Sequence, residues 1–264
     1  MNQVGVIGAG VMGEALIAAL ISYGTAPGSI TISEKRKDRA DELRTRYGIK
    51  VEDVATNVSK ADALLLVVKP QDMATVLDEI KGSINKSAVV ITFAAGKKIS
   101  FIEQGLGTGN PVVRVMPNTP TLVGAGMAAA SMGAGVTEAQ KSFVLGFLGA
   151  TGKVIEVAED LQDAVTATSG SGPAYFFAFV EAMVAGAKEL GLSDADATTL
   201  TVQTIVGAAK LLDESGKSAT TLRENVTSPN GTTAAALASF GAGDLNSMVA
   251  KAMKAARDRS QELA

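Results

Sequence analysis

The chain has 264 residues, enough to bury one or two hydrophobic cores. Hydrophobic residues make up 47% of it and the net charge is −3, which gives no electrostatic case for nucleic acid or an anionic membrane as partner. It contains no Cys and no His, which excludes disulfides and thiolate chemistry and leaves only carboxylates as metal ligands, so no metal site is expected.

No apolar run approaches the length of a membrane span, and residues 1–5 lack a charged, signal-type start. A cytoplasmic location is the expectation. Val4–Ile7 reads as a short apolar strand, and Val11–Ser22 as an apolar helix ending near Gly24. Strands follow at Ile30–Ser33 and 49–51, with a helix at Lys37–Tyr47 between them. The run 63–68 is continuously apolar, as in a parallel strand buried on both faces, and 88–93 and Val112–Met116 repeat it. Helices at 73–81 and 99–105 separate these strands. Strand and helix in alternation predict a doubly wound, mostly parallel α/β sheet.

The turn after the first strand is Gly8-Ala9-Gly10-Val11-Met12-Gly13. This glycine spacing between a strand and a helix is the dinucleotide fingerprint. The first Gly makes the tight turn, the second admits a pyrophosphate, and the third packs helix on strand. Ser33 and Glu34 end the second strand, where an acid would bind ribose hydroxyls. Lys35, Arg36, Lys37 and Arg39 follow at a helix N-terminus, where cations oppose the helix dipole. A 2′-phosphate would relieve that and favours NADPH, with NADH possible; the alternative is a solvated basic turn. Val68, Lys69 and Pro70, then Ala95 and Gly96, then Met116, Pro117 and Asn118 close later strands at their carboxyl ends, where ligands bind such sheets. Each is a candidate for the nicotinamide half.

After about residue 159 the strand signal stops. The residues Phe176, Phe177, Phe179, Val180, Met183 and Val184 cover every direction of one helix. A helix apolar all round is buried all round. So short a segment cannot enclose it alone, and an obligate dimer is expected. Residues 1–158 are thus expected to form a dinucleotide-binding domain and 159–264 a helical dimerisation and substrate domain. In Ser169-Gly170-Ser171-Gly172-Pro173, two glycines and a proline interrupt what would be one long helix. The serines either cap the next helix or meet substrate. In Ser228-Pro229-Asn230-Gly231-Thr232-Thr233, a turn opens another helix. The N–H groups of Gly231, Thr232 and Thr233, at the positive helix end, suit a carboxylate; the alternative is a plain helix start with Thr as cap. Neither stretch holds a strong acid or base. A ketone needs a proton donor for the nascent alkoxide; a protonated imine brings its own proton.

In these motifs, taken in order from the glycine loop to Thr233, the chain resembles the Δ1-pyrroline-5-carboxylate reductases. The resemblance implies a Rossmann domain followed by a helical domain that interlocks two subunits, commonly as five dimers. It implies hydride transfer from NAD(P)H to the C=N carbon of (S)-1-pyrroline-5-carboxylate, giving L-proline. It places the substrate carboxylate on Gly231, Thr232 and Thr233, with Thr233 beside the ring nitrogen; Ser171, in the bend, is a further substrate candidate. It maps a ribose-contacting asparagine to Asn57. The chain departs from the family's pattern at Asn230, where a glycine is usual. Other cyclic imine reductases and a non-catalytic nucleotide sensor are the competing readings. The β-hydroxyacid dehydrogenases are disfavoured, because Phe176 and Val180 stand where their Lys and Asn would be.

Overall fold

A computed structural model describes residues 1–263. One unit holds an eight-stranded sheet: β1 (Val4–Ile7), β2 (Ile30–Ser33), β3 (Lys50–Val51), β4 (Ala63–Leu66), β5 (Val89–Thr92), β6 (Val112–Met116), β7 (Gly126–Met132) and β8 (Gly152–Glu156). The order is β3-β2-β1-β4-β5-β6-β7-β8. Every neighbouring pair is parallel except β6 with β7. The order reverses at β1, so the carboxyl ends of β1 and β4 open a crevice where ligands bind such sheets.

Helices cover both faces. They are α1 (Val11–Ser22), α2 (Lys37–Tyr47), α3 (Val54–Lys60), α4 (Met73–Ile80), α5 (Ile99–Leu106), α6 (Glu138–Gly149) and the short α7 (Gln162–Val165). Along β4 the side chains alternate: Ala63 and Leu65 pack with Leu16, Leu20 and Phe147 on one side, while Leu64 and Leu66 pack with Val58, Leu77 and Ile102 on the other. Burial on both faces is why that strand is uninterruptedly apolar. Side chains fix several helix starts. Asp53 caps α3 by accepting from the Thr56 N–H at 2.9 Å, and Thr137 and Gln140 form a reciprocal capping box on α6.

The sequence reading missed α3, α6, β7 and β8. β7 reads Gly-Met-Ala-Ala-Ala-Ser-Met, poor in the branched and aromatic residues that mark strands, and its place comes from tertiary pairing with β6 and β8. β8 is short, at the sheet edge and largely exposed.

The second compact unit is Ala174–Lys254; the first is Met1–Pro173 together with the residues from Ala255 onward. This division falls later than the expected one at 158/159. The second unit is helical, built from most of α8 (Gly172–Glu189), then α9 (Asp194–Glu214), α10 (Ala219–Asn225), α11 (Thr232–Ala242) and the first part of α12 (Leu245–Glu262). Ser193 and Ser218 cap α9 and α10 through the N–H groups of Asp196 and Thr221, each at 3.1 Å. Phe176, Phe177, Leu200, Val206, Leu211 and Met248 are all more than half exposed. In a single chain the expected all-round burial of α8 is therefore not met. No described helix is long and apolar enough to cross a membrane.

Candidate active site

The three fingerprint glycines do three different jobs. Gly8 has φ +88°, and a Cβ there would lie 2.6 Å from the Val67 carbonyl oxygen. Gly13 would press a Cβ to 2.5 Å from the Gly8 carbonyl oxygen, so its missing side chain lets α1 sit on the loop. Gly10 has an ordinary φ of −65°, caps α1, and a Cβ there would meet nothing within 4 Å. Only Gly10 faces open space. A turn that requires glycine, a helix seated tightly on it and an open backbone at the helix N-terminus together fit a dinucleotide pyrophosphate. Residues 8–13 and the crevice beside them would hold that cofactor.

That crevice is a cavity of about 600 Å³. Of the expected residues, Gly8, Gly10, Ser33, Glu34, Lys35, Val68 and Lys69 line it. The sequence reading missed Glu52, Asp53, Val54, Gln71, Asp72 and Glu79, which also line it. The signal for the first three was available. They follow the carboxyl end of β3 just as Glu34 follows β2, and ligands gather beyond carboxyl ends.

Glu34 is held firmly. Its carboxylate accepts from the Ala9 N–H at 2.8 Å and from the Arg36 N–H at 3.0 Å. The basic residues divide by partner. The Arg36 guanidinium pairs with Asp38 at 2.6 Å on the open surface. Arg39 pairs with Glu14 and Glu42 and donates through Nε to the Ala9 carbonyl at 3.2 Å, so it braces the glycine loop from behind. Lys35 is the cation of this stretch that lines the cavity. Burial pushes the Glu14 carboxyl up, but hydrogen bonds from Arg39, Tyr47 and Arg46 outweigh it and leave its pKa below the ordinary value.

Several expected cofactor residues lie elsewhere. Asn57 is buried, and its amide donates to Ser33 Oγ at 3.0 Å and to the Val6 carbonyl at 3.4 Å, while its Oδ1 has no partner among the described residues. It ties β1, β2 and α3 together behind the cavity, because α3 begins at Val54 and turns this position inward. Asn118 is also buried, with its amide spent on the Met127 N–H at 2.8 Å and the Ser169 carbonyl at 3.1 Å. Ala9, Val11, Met12 and Gly13 belong to the glycine loop and first turn of α1 beside the cavity without lining it, and Arg36, Pro70, Ala95, Gly96, Met116 and Pro117 are not among the lining residues. Gly96 has φ +75°, and a Cβ there would lie 2.7 Å from the Ser260 carbonyl oxygen. The end of α12 therefore packs on the loop after β5. Ser260 Oγ also donates to Asp163 at 2.8 Å, and Asp163 pairs with the buried Arg114 at 3.2 Å.

The interruption at residues 169–173 is a π-helical turn, Thr166–Gly170, closed by the Ser171 N–H donating to the Thr166 carbonyl at 2.8 Å. Such turns inside helices gather at functional sites. Ser171 is partly exposed just after it. In the helical unit, Asn230 takes φ +59°, the left-handed backbone a glycine would supply, so the departure at that position leaves the turn intact. The Gly231 N–H donates to the Ser228 carbonyl at 3.1 Å. The expected three-amide cradle therefore loses Gly231, whose amide closes the turn. Gly231, not a threonine, is the N-cap of α11, and it makes no side-chain cap bond; Thr232 and Thr233 occupy the first turn.

The fold and this crevice define a nicotinamide-dinucleotide oxidoreductase with an added helical unit. The family model described as pyrroline-5-carboxylate reductase dimerisation matches residues 159–263. The one described as NADP oxidoreductase coenzyme F420-dependent matches residues 3–96. The chain is 43% identical to the pyrroline-5-carboxylate reductase of Corynebacterium melassecola, over 100% of this chain and 99% of that one. It is similar to the structure of the Coxiella burnetii pyrroline-5-carboxylate reductase, with a TM-score of 0.91 and 36% identity over 100% of this chain and 98% of that one. The Plasmodium falciparum pyrroline carboxylate reductase structure, with NADP bound, matches at a TM-score of 0.89 and 28% identity, over 99% and 98%. The chain belongs to the pyrroline-5-carboxylate reductase family.

Proposed function

We propose that the chain reduces the C=N bond of (S)-1-pyrroline-5-carboxylate to L-proline. The observation that carries this reading is the end-to-end 43% identity to a reductase of that name, which runs through both the glycine loop and the helical unit. When bound, the reduced nicotinamide supplies the hydride to the imine carbon. The imine arrives protonated; its nitrogen keeps that proton and takes the C=N π pair as its lone pair, so the product is a neutral secondary amine. The chain's own task is binding and orientation, since neither substrate segment offers a strong acid. We assign Ser171, Thr232 and Thr233 to the substrate. The Thr232 and Thr233 amides, at the positive end of α11, suit the carboxylate, and the Thr233 hydroxyl can hydrogen-bond the ring nitrogen.

NADPH is the proposed reductant, supported by Lys35 at the cavity wall. A specific observation favours NADH as the second reading: the Glu34 carboxylate is already fixed by two amides where ribose hydroxyls would sit. The family model for dimerisation makes the chain a homo-oligomer, and the exposed phenylalanines of α8 are what a second copy would cover. An interlocked dimer, assembled further as five dimers in the cytoplasm, is the proposed finer state. The residue division 1–158 and 159–264 remains the proposed split between cofactor and dimerisation roles. The test is loss of nicotinamide absorbance with pyrroline-5-carboxylate, pyrroline-2-carboxylate and, in reverse, a 3-hydroxyacid. Turnover of the first is expected; turnover of the others alone refutes the assignment.

A further inference from the structure

We propose that Asn118 is a positioning residue for the imine substrate, holding the π-turn that presents Ser171, and not a ligand of the nicotinamide cofactor. This rests on the reductase reading for the identity of the substrate.

The inference begins at Pro173. In helical geometry the carbonyl of residue 169 looks for an N–H four residues on. That residue is a proline, which has none. That carbonyl is part-buried, where a missing partner is costly. Asn118 supplies one: its Nδ2 donates to the Ser169 carbonyl at 3.1 Å. Its Oδ1 accepts from the Met127 N–H at 2.8 Å. These two partners fix the amide's orientation, because only the oxygen can accept and only the nitrogen can donate. Asn118 is 9% exposed, and each half of its amide already has a protein partner.

A second contact grips the same turn. A Cβ on Gly170 would lie 2.5 Å from Met116 Cε, so Met116 packs against the bare backbone of Gly170. Residues 116 and 118 thus hold residues 170 and 169. Within the turn, the Thr166, Thr168 and Ser169 hydroxyls each donate to the carbonyl four residues back. Such back-bonding bends a helix without fixing its register. The loop after β6 ties the turn to the sheet. Ser171, the next residue, has its amide in the bond that closes the turn.

The Asn118→Asp variant keeps the shape and the acceptor for Met127 but sets a carboxylate oxygen against the Ser169 carbonyl. Amide hydrogen exchange across residues 166–171 should quicken. The kcat/KM for pyrroline-5-carboxylate should fall roughly tenfold, about one to two hydrogen bonds' worth, carried mainly by KM. The dissociation constant for NADPH, read from its fluorescence, should stay at the wild-type value. Adding Pro173→Ala supplies the missing N–H and should return both exchange and KM toward wild type, a coupling that independent sites do not show. Gly170→Ala, which presses on Met116, is the second probe and should raise the imine KM in the same sense. Unchanged exchange in Asn118→Asp would overturn the proposal. So would a weakened NADPH affinity with the imine KM intact, which marks a cofactor ligand, or a lowered Tm with both constants intact, which marks a purely structural tie. Exchange needs no turnover, so a wild-type enzyme inactive on the imine would sink the reductase reading and leave the exchange result standing.

Discussion

The three fingerprint glycines make a sharp test, because the geometry assigns them separable costs. At Gly10 an added methyl meets nothing within 4 Å and the φ of −65° suits any residue. Replacing Gly by Ala at a helix cap costs about 1 kcal/mol or less, so Gly10→Ala should lower Tm by no more than roughly 4 °C. Binding should suffer more. The methyl stands on the open side of the helix N-terminus, where a phosphate must come within hydrogen-bond reach. Losing one charge-assisted bond costs about 1.5–3 kcal/mol, or roughly tenfold to a hundredfold in NADPH affinity. Gly13→Ala should do the reverse. Its Cβ would press to 2.5 Å on the Gly8 carbonyl oxygen, and overpacking of that kind costs about 1–3 kcal/mol of folding stability. Gly8→Ala adds a left-handed penalty of about 1–2 kcal/mol to a 2.6 Å clash with the Val67 carbonyl oxygen. Thermal melts with and without NADPH, paired with fluorescence titration, read both quantities for each variant. If Gly10→Ala binds NADPH like wild type, or melts as early as Gly13→Ala, the separation of roles is wrong.

Other outcomes follow from the same geometry. Lys35→Ala should raise KM for NADPH well above any change for NADH, whereas Arg36→Ala, its charge already spent on Asp38, should affect the two equally; equal effects from Lys35→Ala would remove the 2′-phosphate role. Thr233→Ala should lower kcat/KM by about 1 kcal/mol, a few-fold to tenfold, in steady-state assays, and complete loss in a folded, NADPH-binding variant would make Thr233 an obligatory acid. The Glu14 carboxyl lies below its ordinary value of 4.5 in the folded state, so it binds fewer protons there than in the unfolded chain. Its stabilising contribution is present above that ordinary value and is lost as pH falls through the folded one. Glu14→Gln should therefore flatten the decline of Tm on acidification, and an unchanged acid limb refutes this. Finally, Phe176→Glu with Phe177→Glu should dissociate the oligomer in sedimentation, since both side chains are more than 60% exposed in the single chain.

Where the sequence carries one signal per residue, it reads well. Val4–Ile7, Val11–Ser22, Ile30–Ser33, Lys37–Tyr47 and Val112–Met116 end where hydrophobic runs and glycines end them. β7 is legible only from its neighbours, because alanines become a strand through pairing and not through their own preference. The candidate site divides the same way. The glycine loop and the wall from Ser33 to Lys35 follow from local rules. Asn57 and Asn118 were expected at the cofactor and are bonded to the scaffold, because an asparagine near a crevice can serve the ligand or the scaffold equally well. The choice is made by distant partners: Val6 and Ser33 for one, Ser169 and Met127 for the other. The bare carbonyl left by Pro173 is written in the sequence, but its remedy lies 51 residues upstream.

The packing of Ser260 on Gly96, with its bond to Asp163, has a consequence for how the molecule is made. Residues beyond 254 leave the ribosome only after the whole helical unit, yet they complete the unit that was synthesised first. The nucleotide-binding half must therefore wait, with its β5 loop uncovered, until translation has passed the last helix. A fragment ending at 173 would remain at that waiting stage, and excising the sheet as a stand-alone nucleotide module would strip the loop at Gly96 of its cover.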